Sequence, residues 1–78
     1  MLVRERVRRF IKDSFLVDDF ADDESFLASG IIDSLGVMQL VNFIESEFSV
    51  RVADPDLVPE NFDSVERVSA FVERKLAA

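Results

Sequence analysis

The chain has 78 residues, no cysteine, no histidine and a net charge of −7. These facts exclude disulfide staples, thiolate metal sites, a cysteine nucleophile and a histidine proton shuttle, so helix packing must hold the fold and any thiol on the protein must be added after translation. The charge is uneven: residues 1–12 carry a net +4, residues 13–63 a net −12 and residues 64–78 a net +1, so the acidic middle repels nucleic acid and attracts basic protein surfaces.

A chain this short is expected to form one domain, residues 1–78, with too little interior for a deep catalytic cleft. Met1-Leu2-Val3 runs into Arg4, Arg6, Arg8 and Arg9 with no apolar stretch behind them, and no segment reaches the length of a membrane span. The expectation is a cytoplasmic protein without a signal peptide or membrane insertion.

Val3, Val7, Phe10, Ile11 and Phe15 recur at helical spacing, with Glu5, Arg8, Arg9 and Lys12 on the far side. Residues 2–15 therefore read as an amphipathic first helix with a solvated basic face. Residues 16–33 show no sustained period and are rich in Asp and Ser. Val17, Phe20, Phe26, Leu27, Ile31 and Ile32 are spaced as anchors that pin this loop across a core, and Gly30 can supply a backbone angle closed to other residues. Its acidic group, Asp18, Asp19, Asp22, Asp23 and Glu24, lacks the alternating ligands, central glycine and closing glutamate of a calcium loop, so no metal site is expected.

Residues 34–48 project Val37, Met38, Leu40, Val41, Ile44 and Phe48 onto one broad face, which predicts a central helix. The remaining strip holds Gly36, Gln39, Asn42 and Ser46. Leu35, Gln39 and Phe43 stand at i, i+4 and i+8 along one side of it and are the candidate partner-binding row; burial of Leu35 and Phe43 under loops is the competing reading. Residues 49–58 form a connector interrupted by Pro55. Pro59-Glu60-Asn61-Phe62 reads as one helical turn with proline first and Phe62 inward. Asp63 or Ser64 then caps a last helix, with Glu66 placed as in a capping box. Val65, Val68, Val72 and Leu76 form its buried face and Phe71 its edge. The order predicts an all-α fold, a small antiparallel four-helix bundle of three longer helices and one short one.

Ser34 stands where the acidic loop becomes the apolar helix. By spacing alone it is a helix cap, and Asp33 beside it is another. A helix start also favours bound phosphate, because its N–H groups lack partners and carry partial positive charge. In this setting Gly30-Ile31-Ile32-Asp33-Ser34-Leu35-Gly36-Val37-Met38-Gln39-Leu40-Val41 closely resembles the attachment motif of acyl carrier proteins, and the element order resembles theirs over nearly the whole chain. In that family the serine of Asp-Ser-Leu carries 4'-phosphopantetheine. Fatty-acid carriers usually place acidic residues where this chain has Gly36 and Gln39. Peptidyl carriers inside large synthetases usually have histidine in place of Asp33. The run looks closer to freestanding D-alanyl and aminoacyl carriers.

The resemblance implies a carrier with no catalytic residue of its own, 4'-phosphopantetheine joined to Ser34, and Asp33 and Leu35 beside the attachment point. It also implies a monomer visited in turn by a phosphopantetheinyl transferase, an adenylating acyl- or aminoacyl-loading ligase, and a downstream acyltransferase or synthase. The competing reading is an unmodified acidic helical adaptor that binds one basic partner, which gives no reason for a serine at position 34.

Overall fold

The computed structural model describes residues 2–77, and each of its three long helices answers to a stretch of sequence with an apolar period. Three long helices, α1 (Val3–Phe15), α3 (Ser34–Phe48) and α5 (Val65–Ala77), alternate with two single turns, α2 (Phe26–Ser29) and α4 (Pro59–Phe62). A 3₁₀ turn at Asp54–Asp56 interrupts the connector, and there is no strand among the described residues. The fold is all-α, as the periodicity predicts. No described helix is long and apolar enough to cross a membrane.

Helix α2 is absent from the sequence reading, since four residues are too few to show a period. Ser25 caps it, its Oγ accepting the Ala28 N–H at 3.0 Å, and Gly30 ends it at φ 78°, the left-handed conformation expected of that glycine. The loop around it is pinned by Phe20, Phe26 and Ile32, all buried. It is also tied to α1. The Arg8 guanidinium donates to the Phe20 carbonyl oxygen at 2.9 Å and to Asp22 Oδ1 at 2.7 Å, while lying 4.3 Å from the Phe20 ring centre. Arg4 adds a second contact to Asp22 at 3.6 Å. The basic face of α1 is thus not simply solvated, because part of its charge neutralises the loop and holds it down.

The core consists of Val7 and Ile11 of α1, the three loop anchors, Leu40, Val41 and Ile44 of α3, Phe62, and Val65, Val68, Phe71 and Val72 of α5. The helix that packs against α1, α3 and α4 is α5, not α3, so the expectation of a central second helix is corrected. Its small β-branched valines let neighbouring backbones approach closely. Phe71 is 2% exposed and belongs to the core rather than its edge. Leu27, Met38 and Leu76, expected inside, are at least half exposed. Leu76 lies a turn beyond Val72, the last buried residue of α5, and the other two border the region around Ser34.

Of the two candidate caps of α5, Asp63 and Ser64, the structure selects the second. Ser64 Oγ accepts the Arg67 N–H at 3.1 Å, so Ser64 is the cap, and Asp63 bonds elsewhere. The Ser69 hydroxyl is buried on α5 without a hydrogen-bond partner, which costs desolvation free energy. Ser69→Ala is expected to raise stability by about 0.5–1 kcal/mol in a denaturant titration.

At the connector, the Asp56 carboxylate accepts the Ala53 N–H at 3.0 Å and pairs with Lys75 at 3.1 Å. The backbone hydrogen bond, then the lysine, lowers its pKa below the usual 3.8. A depressed carboxylate stabilises the fold above its unfolded pKa and loses that contribution as pH falls through the folded value. The melting-temperature gap between the native chain and Asp56→Asn is therefore expected to be present at neutral pH and to close in acid, starting near the unfolded carboxylate range.

Candidate functional site

Three short-range features deliver Ser34 to the surface. Gly30 turns the chain out of α2, buried Ile32 anchors it through an N–H bond to the Phe26 carbonyl at 3.3 Å, and Asp33 starts α3. Asp33 is the cap: its Oδ1 accepts the Gly36 N–H at 2.8 Å and its carbonyl oxygen accepts the Val37 N–H at 3.0 Å. Ser34 is therefore the first residue inside the helix rather than its cap. It is exposed, and its hydroxyl forms no hydrogen bond with any described residue. The amides of Ser34 and Leu35 lie in the turn that an α-helix leaves without intrahelical acceptors.

A groove of about 270 Å³ opens at Ser34. One wall is Phe26 and Leu27 of α2, the other is Leu57, Val58, Pro59 and Phe62, and Val37 of α3 lies between them. The lining is mostly apolar, and besides Ser34 its polar member is Asp63. These residues suit 4'-phosphopantetheine: a free hydroxyl for the ester, unpaired amides at the end of a 15-residue helix for the phosphate, and an apolar trough for a flexible arm.

The predicted partner row divides. Leu35 is 78% exposed and shares a shallow hollow with Gln39, Asp33, Gly36, Phe15 and Ile31. Phe43 is half-buried and stacks on Phe10, ring centres 4.2 Å apart, at a different hollow beside Arg9 and Asp13. Gly36, placed by projection on the open strip, is buried. A Cβ there would lie 2.8 Å from both Ile32 Cγ2 and Phe15 Cε1, and only glycine leaves them room. Sequence reading missed Leu57, Val58 and Asp63 as groove residues. The apolar pair directly before Pro59 was the available signal, because such a pair in a polar connector needs something to pack against.

A family model described as a phosphopantetheine attachment site matches residues 2–72. The chain is 27% identical over 74 residues to the D-alanyl carrier protein of Streptococcus suis (strain 98HAH33), covering 92% of each. It is 29% identical over 63 residues to the D-alanyl carrier protein of Streptococcus equi subsp. zooepidemicus (strain MGCS10565), covering 78% of this chain and 80% of the relative.

Proposed function

The chain belongs to the phosphopantetheine attachment-site family, and we propose that it carries an aminoacyl group, with D-alanine the first candidate, on an arm joined to Ser34. Members of the family are carriers, not enzymes, and hold 4'-phosphopantetheine covalently. When bound, the group supplies a thiol on which the cargo is held as a thioester. The observation that carries the reading is the unbonded Ser34 hydroxyl, freed because Asp33 already caps the helix, at the mouth of an apolar groove. The D-alanyl carriers to which the chain is similar support the cargo, as does the lack of acidic residues in the first turn of α3.

In this reading the chain is a single cytoplasmic carrier domain, monomeric, with its three long helices as the antiparallel frame of a small bundle. Asp33 orients the helix start and offers a contact to a basic transferase; it does not act as the base. Leu35 and Gln39 meet the visiting phosphopantetheinyl transferase, the adenylating ligase and the acceptor transferase. Phe43 serves them at one remove, by bracing α3 against Phe10. Exposed Asp18, Asp19 and Asp23 steer basic partners, so encounter rates should fall with salt.

The test is intact mass after incubation with coenzyme A, magnesium and a broad-specificity phosphopantetheinyl transferase, followed by ATP, an amino-acid panel and a D-alanine-activating ligase. One phosphopantetheine per chain is expected, with a new titratable thiol and then one alanyl group. No addition to a folded chain with several transferases would move the reading to the unmodified adaptor.

A further inference from the structure

The groove at Ser34 has walls from two distant parts of the chain, and every hydrogen bond between residues 25–29 and 57–63 runs to Asp63. Its Oδ1 accepts the Leu27 N–H at 3.0 Å, its Oδ2 accepts the Ser25 O–H at 2.6 Å, and its carbonyl oxygen accepts the Phe26 N–H at 2.8 Å. The oriented Ser25 Oγ in turn accepts the Ala28 N–H at 3.0 Å. Asp63 thus satisfies the first three N–H groups of α2, two directly and one through Ser25. A helix of one turn cannot sustain itself, because nucleation fixes several residues for a single bond. Helix α2 therefore exists where it does because Asp63 holds it.

We propose that Asp63 is a positioning residue, a clasp that sets the spacing between the α2 wall and the α4 wall and so holds the groove as a seat for whatever is joined to Ser34. The inference rests on the carrier reading and goes beyond it by assigning the seat to a residue outside the attachment motif. Two facts separate a clasp from general support. Asp63 is itself a groove residue, and the apolar parts of both walls, Phe26 and Phe62, are buried in the core without it. Loss of the carboxylate should therefore loosen the wall while the core stays packed. The spacing matters because a groove seats a flexible arm only while both walls touch it, and contact attraction fades steeply with a gap of even 1 Å.

The experiment compares amide spectra of the unmodified and phosphopantetheinylated native chain, Asp63→Ala, Asp63→Asn and Ser25→Ala, together with the rate at which a neutral disulfide reacts with the arm's thiol. In the native chain, modification should shift Leu27, Val37, Val58 and Phe62. In Asp63→Ala those shifts should shrink to less than about half, the thiol should react about fivefold faster, and exchange of the Leu27 and Ala28 amides should speed up by about fivefold or more for each bond lost. Asp63→Asn keeps an acceptor for the Leu27 N–H and should recover part of the shifts, whereas a merely structural role would lower melting temperature without changing their pattern. Should Asp63→Ala fail to fold, Ser25→Ala, which removes one bond, decides by the same reading. Attachment with groove shifts that are absent, or unchanged in the variants, overturns the clasp alone. Failure of attachment to the native chain overturns the carrier reading and the clasp together.

Discussion

Ser34→Ala is expected to abolish phosphopantetheine attachment completely while leaving the fold intact. The loss is total because no other residue combines an exposed hydroxyl, a helix start and a groove; the nearby serines are committed, Ser25 and Ser29 to bonds within and around α2. The fold should survive because the Ser34 hydroxyl bonds to nothing described, and because alanine is a slightly better helix former by a few tenths of a kcal/mol. Melting temperature should therefore stay within about 2 °C of the native value. Asp33→Ala is the instructive contrast. It removes the bond to the Gly36 N–H, so it should cost about 1 kcal/mol and about 4–8 °C while the hydroxyl remains available. Intact mass and a thermal melt on both variants separate the roles: attachment at another residue in Ser34→Ala would end the assignment, and a large drop in its melting temperature would mean that Ser34 is structural after all.

What the sequence made legible follows from the range of the interactions involved. The long helices could be read because each carries several turns of apolar period, and Pro59 could be placed because a proline at the first helical position acts locally. The start of α3 at Ser34 was legible for the same reason: Asp33, which caps it, and the apolar period that follows lie within a few residues. Helix α2 was hidden because its cause lies 36 residues away in Asp63. The choice between Asp63 and Ser64 as the cap of α5 stayed open for the complementary reason, since the local pattern fits either and only the folded chain shows the Asp63 carboxylate spent on α2. The basic face of α1 followed the same rule. Arg8 sits correctly opposite the apolar stripe, but only the folded loop brings Phe20 and Asp22 to it. Met38 and Leu27 are expected inside on hydrophobicity, yet both are half exposed, because an apolar period shows which residues could be buried and not which of them another element covers. The helical wheel failed at Gly36, because the wheel cannot show that Phe15 and Ile32 close over the start of α3.

That closure gives the second large effect. Gly36→Glu, which would introduce the acidic residue that fatty-acid carriers usually have at this position, is expected to destabilise the chain by about 2–4 kcal/mol. Two terms oppose each other. Replacing a helical glycine gains about 1 kcal/mol through reduced backbone entropy. Against it, the new Cβ meets Ile32 Cγ2 and Phe15 Cε1 at 2.8 Å. Phe15 packs edge-on to Phe10, ring centres 6.1 Å apart, and Ile32 is 2% exposed, so neither moves aside without disturbing neighbours. Overpacking of that kind costs about 1–3 kcal/mol, and a carboxylate at a buried position without a partner adds to it. Gly36→Ala isolates the first two terms and should be destabilised by about 0–2 kcal/mol, less than the glutamate variant. For a domain whose whole stability is about 4–12 kcal/mol, the glutamate variant should unfold at a clearly lower denaturant concentration with an unchanged slope. Attachment should slow even in its folded fraction, because the Gly36 N–H is also the group that Asp33 caps, and pushing the first turn of α3 away from Phe15 moves Ser34 with it. A glutamate variant as stable as the native chain would show that the Phe15 ring and Ile32 yield freely, and that glycine is present for the partner's sake rather than for the fold's.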